Sequence, residues 1–137
     1  MRSLHGILAL ALLSATVLAQ TNSQSIPQSF DSAGIVKKVA PAVVLIKGTT
    51  SEGDILGTGF IISSDGKIAT NLHVIKDLRK VGVQLASGEK FDSFLVLAFD
   101  QRKDIAIIKI AGFDLPSVSL GNSNNVQVGE PVLIVGS

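Results

Sequence analysis

The apolar positions divide the chain into three stretches. The first is a solid apolar block, 7–13, continuing through Ala15 to Leu18, behind the single cation Arg2. The second, 21–32 (TNSQSIPQSFDS), is made of Ser, Gln and Asn with one Pro, and has too few apolar side chains to pack. From Ile35 onward the apolar residues are β-branched and come in short runs: 42–47 (AVVLIK), 57–63 (GTGFIIS), 67–74 (KIATNLHV), 81–86 (VGVQLA), 90–99 (KFDSFLVLAF), 105–110 (IAIIKI) and 131–135 (PVLIV). Each has strand length, and 81–86 alternates apolar and polar residues with period two. Turn residues separate the runs. Ser64-Asp65-Gly66 and Ser87-Gly88 supply the positive φ angles that tight hairpins need. No stretch after the first block keeps a helical period; single helical turns are expected at 35–39 and 75–80. This spacing predicts an all-β barrel or sandwich.

Composition sharpens the picture at the N-terminus. A lone positive charge, an apolar core shorter than the ~20 residues that span a bilayer, and the small residues Val17 and Ala19 form the pattern of an export signal covering 1–19, with Gln20 as the new N-terminus. A spacer would follow at 20–34. Cleavage would take Arg2 with it and leave the charges balanced, because the whole chain has 12 Lys and Arg against 11 Asp and Glu. No basic block stands out, so nothing in the sequence would draw it to nucleic acid, and after signal cleavage no stable membrane span is expected. With no Cys there is no disulfide, zinc-thiolate site or thiol nucleophile. Aromatics are 4% of the chain, so aliphatic side chains must fill the core.

The candidate chemistry is sparse. Of two histidines, His5 lies in the expected signal, which leaves His73 for any imidazole chemistry. A single histidine in an apolar run is commonly a structural residue. Asp104 changes the balance. It directly precedes the apolar run 105–110, at the mouth of a strand, where a carboxylate needs a hydrogen-bonding partner and an imidazole N–H would serve. A solvated aspartate grouped with Asp100, Arg102 and Lys103 is the alternative. A metal site at His73 is disfavoured by the lack of Cys and of any His-x-x-x-His spacing, and no cofactor is expected. Lys67, Lys76 and Lys109 beside apolar runs are expected to be solvated.

Two segments together resemble a known family. Thr58-Gly59-Phe60-Ile61-Ile62, the Asp65-Gly66 turn and Ala69-Thr70-Asn71-Leu72-His73-Val74 are similar to the histidine region of trypsin-like serine proteases of the HtrA/Deg type; Asp104-Ile105-Ala106-Ile107-Ile108-Lys109 resembles their aspartate region. Pro116-Ser117-Val118, Gly121-Asn122-Ser123 and Val128-Gly129-Glu130-Pro131-Val132 match the segment that follows. The resemblance implies a Greek-key β-barrel, the first of two, over 35–110, then an inter-barrel linker and the opening strand of the second barrel over 111–137. It implies that His73 is the general base and then the general acid, and that Asp104 orients it, in the chain order His, Asp, Ser. Thr58-Gly59 would lie beneath the cleft, although Gly59 is equally explained as plain strand geometry.

The family's serine sits in Gly-Asn/Asp-Ser-Gly-Gly, and no Gly-x-Ser-Gly-Gly occurs in this sequence. Gly121-Asn122-Ser123 is followed by Asn124-Asn125 rather than by the glycines that turn two backbone N–H groups toward an oxyanion, so Ser123 is assigned to the connecting loop. The expectation is therefore the N-terminal part of an exported, periplasmic or extracellular serine endopeptidase acting on proteins or peptides, cut before its nucleophile and inactive alone. The family also suggests a homotrimer. The alternative is a non-catalytic secreted barrel that binds a peptide or a protein partner.

Overall fold

A computed structural model describes residues 30–136. Its elements are helix α1 (Ser32–Val39), a 3-10 turn (Ala40–Ala42), strands β1 (Val43–Thr49), β2 (Asp54–Ser63) and β3 (Lys67–Thr70), helix α2 (Leu72–Ile75), strands β4 (Lys80–Leu85), β5 (Lys90–Phe91), β6 (Leu95–Asp100) and β7 (Ile105–Lys109), and a 3-10 turn at Ser123–Asn125. The expected export signal, 1–19, lies outside the described residues.

All seven strands form one antiparallel sheet in the order β5-β4-β1-β2-β3-β7-β6. The segment β4-β1-β2-β3 is a Greek key, with three consecutive strands and a fourth returning beside the first. The sheet must curl. At ~4.8 Å per neighbour, a flat seven-stranded sheet would hold its outer strands ~29 Å apart. Yet β5 and β6 are those outer strands, and only residues 92–94 connect them. Four extended steps reach ~14 Å at most. The result is a curled antiparallel half-barrel, in agreement with the all-β expectation.

Alternation in the strands fills the concave side. Val44 and Ile46 of β1, Ile61 of β2, Ile68 of β3, Val83 and Leu85 of β4, and Ile108 of β7 are buried together with Ile110. Burying each such side chain is worth about 1.5–3 kcal/mol. After β7 the chain straps back across the β2–β3 hairpin: Leu115 N–H donates to Ser64 O (3.0 Å) and Val118 N–H to Ile61 O (2.9 Å). Leu115 and Val118 pack against the core from outside.

Four details depart from the sequence expectation. Helix α1 is longer than one turn and begins at Ser32, inside the expected spacer, because Asp31 caps it by accepting from Gly34 N–H at 2.8 Å. The run 67–74 is not all strand: it leaves the sheet after Thr70, and the helical turn falls at Leu72–Ile75 rather than at 75–80. The run 90–99 breaks at 92–94, where the chain crosses between the two edges of the sheet. The expected opening strand at 131–135 runs outside the sheet, with Val132 and Ile134 exposed. A strand exists only beside a hydrogen-bonded neighbour, and none of the described strands pairs with it.

Candidate functional site

Strands β3 and β7 pair from Lys67↔Lys109 to Thr70↔Ala106. Antiparallel pairing puts the residues just after Thr70 and just before Ala106 at the same end of the sheet. His73 and Asp104 are those residues.

Each is held by local structure. Helix α2 is a single turn, and Val74 anchors it in the core at 7% exposure. The anchor depends on Gly57 in β2: a Cβ there would stand 2.3 Å from Val74 Cγ1. Glycine is the only residue that lets the turn settle on the strand. With Val74 pointing inward, the neighbouring His73 side chain faces outward and is 70% exposed. Beneath the turn, the buried Thr70 hydroxyl is satisfied by donating to Thr58 O at 2.9 Å. Gly59 has a packing role, because a Cβ there would meet Ile68 Cγ2 at 2.7 Å.

Asp104 adopts a left-handed conformation with φ +51°. Asp is one of the few residues that visit this region at modest cost. In that conformation its carboxylate meets His73 twice: His73 N–H donates to Oδ1 at 2.9 Å, and His73 Nδ1 lies 2.5 Å from Oδ2. Asn71 Nδ2 donates to Asp104 O at 3.0 Å and reaches Oδ2 at 3.3 Å. The backbone N–H of His73, its ring and the Asn71 amide hold the Asp104 carboxyl below the usual carboxylate range. An ionised carboxylate only accepts, so Nδ1 carries the proton and the lone pair of the neutral ring is on Nε2. Such an imidazole can take a proton at Nε2 while the carboxylate stabilises the resulting cation.

Asp104 is thus not grouped with its cationic neighbours. Arg102 N–H and Lys103 N–H donate to Asp100 Oδ1 at 2.9 and 3.2 Å and close the β6–β7 turn instead. Ser123 sits in a 3-10 turn capped by Asn122, whose Oδ1 accepts from Asn124 N–H at 3.1 Å. Among the described residues no hydrogen bond joins Ser123 to His73. A groove of about 370 Å³ over β1, β4 and β5, lined by Lys47, Gln84 and Phe91 among others, lies away from the pair. Among the described residues no three His, Cys, Asp or Glu side chains converge as metal ligands.

Sequence reasoning missed two residues of the site. In the sequence Asn71 stands only as part of a motif, and Gly57 only as part of a strand. The usable signal for Gly57 was its spacing from Gly59, since two glycines on one face of a strand mark a close approach. Lys67 and Lys109 are also not simply solvated: both ammonium groups reach Asp65 Oδ2, at 3.3 and 3.1 Å, and Lys109 Nζ also donates to Asp65 O.

Comparison with known proteins gives the arrangement a context. Residues 57–137 match the family of the trypsin-like peptidase domain. A probable periplasmic serine endoprotease, DegP-like, from Pseudomonas fulva is 46% identical over 90 residues, which are 66% of this chain and 19% of that protein. A protein of the same description from Chlamydia pneumoniae is 40% identical over 64% of this chain and 18% of its own length. Among solved structures, the HtrA-type protease AlgW with a tripeptide superposes with a TM-score of 0.65 at 31% identity, over 71% of this chain and 32% of that one. The serine endoprotease from Yersinia pestis gives 0.61 at 32% identity, over 69% and 34%. The chain spans about a fifth of the length of the curated relatives it matches.

Proposed function

The chain belongs to the trypsin-like peptidase domain family, and from that premise we propose that it forms the acid–base part of an exported serine endopeptidase. His73 is the general base and then the general acid, and Asp104 is the residue that orients it. The observation that carries this assignment is the 2.5 Å contact of His73 Nδ1 with an ionised Asp104, which leaves Nε2 free on an exposed ring. In the reaction, Nε2 takes the proton of a serine hydroxyl as that oxygen attacks the peptide carbonyl, and returns it to the leaving amine. Asp104 keeps the ring in the productive tautomer and stabilises the transient imidazolium without itself being protonated.

The serine and its oxyanion-binding loop are supplied by the full-length protein. The unit 35–110 is the first barrel; 111–137 is the linker and the start of the second. Substrates are proteins or peptides, in keeping with the tripeptide bound to AlgW. The relatives described as periplasmic support a periplasmic or extracellular location reached through the signal at 1–19. A homotrimer is the assembly that the family resemblance suggests, and light scattering on the full-length protein would read it directly.

The test is peptide hydrolysis by a full-length protein carrying this segment, compared with its His73→Ala form. The proposal expects kcat to fall by ~10⁶ with KM little changed. A His73→Ala protein that hydrolyses peptide at the original rate would overturn it.

A further inference from the structure

The conformation of Asp104 decides where its carboxylate points. The residue sits at φ +51°, with its side chain 42% exposed, as the last residue of the β6–β7 turn. What holds it is a set of donors from three consecutive residues. Leu72 N–H donates to its carbonyl at 3.3 Å, and His73 supplies one backbone and one ring donor to its carboxylate. Asn71 alone reaches both parts of the residue, through one nitrogen: Nδ2 to the carbonyl at 3.0 Å and to Oδ2 at 3.3 Å. An amide nitrogen has two hydrogens, one for each acceptor, and with two oxygens opposite it the orientation of the amide follows. The bridge couples the backbone rotation of Asp104 to the direction of its carboxylate.

We propose that Asn71 is the positioning residue of the His73–Asp104 pair: its side-chain amide clamps Asp104 in the left-handed conformer that aims Oδ2 at His73 Nδ1. The assignment rests on the reading of that pair given above. Asn71 acts through Asp104. Its place in the chain makes the choice of residue informative. It occupies the N-cap position of α2, where Asn and Asp are interchangeable as caps. Yet its side chain makes no capping bond and turns to Asp104 instead. A capping role would tolerate Asp. A clamp would not, because Asp has no hydrogens to donate and sets a second carboxylate against the first.

The tautomer of His73 reads this directly. In the full chain with His5→Gln, ¹⁵N–¹H correlation spectra recorded at alkaline pH report which ring nitrogen holds the proton. The expected result is a majority of the Nδ1–H form. Free imidazole side chains prefer Nε2–H, so Asn71→Ala and Asn71→Asp should each bring the Nδ1–H share below half. The isoleucine methyl signals of the core should stay dispersed throughout. An Asn71→Asp protein that keeps the original Nδ1–H share would overturn the clamp and leave the His73–Asp104 reading standing. An unsubstituted chain with mainly Nε2–H would overturn both. Collapse of the methyl dispersion in both variants would make Asn71 a determinant of the fold and would also overturn the assignment.

Discussion

The two ends of the β3–β7 pair each hold an aspartate, and they treat it differently. At the Lys67↔Lys109 end, Asp65 sits in the β2–β3 turn. Ser63 first, then Lys109 and Lys67, hold its carboxyl far below the ordinary range. At the Thr70↔Ala106 end, Asp104 is also held low, by His73 and Asn71. The first aspartate faces two ammonium groups, which can only donate. The second faces an imidazole, whose other ring nitrogen is left over once Nδ1 is engaged. One strand pair therefore carries an ion cluster at one end and, on the reading proposed above, an acid–base pair at the other. An aspartate held low by partners is not in itself a functional sign; the chemistry of the partner separates the two ends.

The strongest way to break this comparison is to neutralise each aspartate in a full-length protease. Asp104→Asn should lower kcat by ~10⁴, because the asparagine would leave the ring in the wrong tautomer. Asp65→Asn should leave kcat near the unsubstituted value. Equal losses from both would show that the two ends do the same job. Removing what joins the ends should have the next largest effect. Ile108, fully buried in β7, is expected to cost about 2–5 kcal/mol as Ile108→Ala. Urea unfolding would read that loss, and a midpoint near the unsubstituted one would mean the strand pair is not the shared support. Gly57→Ala sharpens the contrast further. Its Cβ would push against Val74 and cost about 1–3 kcal/mol by overpacking, and it should disturb His73 while leaving the Asp65 cluster intact. Chemical-shift changes confined to 71–75 and 104 are the expected result; changes spread equally to 63–67 would contradict it.

Acid stability should show the smallest difference. Both carboxyls titrate lower in the folded chain than in the unfolded one. The unfolded chain thus binds protons more tightly below the ordinary aspartate value near ~4. The stability they contribute is fully present above that value and is lost as pH falls through the folded values. Asp65→Asn should flatten the acid limb of a stability–pH curve, and so should ~1 M salt, which screens the exposed lysine pairs. An acid limb unchanged in Asp65→Asn would mean that the lysines do not hold the turn.

Much of this architecture is written in local pattern. The β-branched runs gave β1, β2, β4 and β7, and Asp65-Gly66 gave the β2–β3 turn, with Gly66 at φ +93°. The pairing of His73 with Asp104 was legible because each stands at the mouth of an apolar run, and because the two runs together resemble one family. What remained illegible depends on contacts distant in sequence. Leu72 and Val74 continue the apolar alternation of β3, so nothing local signals that the chain leaves the sheet at Asn71. The seat that turns it lies on β2, at Gly57. Likewise Lys109 and Asp65 are 44 residues apart, and only the curl of the sheet and the return of β7 beside β3 bring them together. The break at 92–94 has a local sign in Asp92-Ser93, which suit a turn better than a strand, but that the chain crosses there between the two edges of the sheet is set by closure of the half-barrel.

The central claim is that His73, held by Asp104, activates a serine supplied by the full-length protein. A fluorophosphonate bonds covalently to a serine only when its hydroxyl is activated by such a base. Labelling the full-length protein, followed by mass spectrometry of the tagged peptide, tests the claim most directly. The account predicts one tagged serine beyond Ser137, with labelling abolished by His73→Ala. Labelling that survives His73→Ala, or that falls on Ser123, would contradict it.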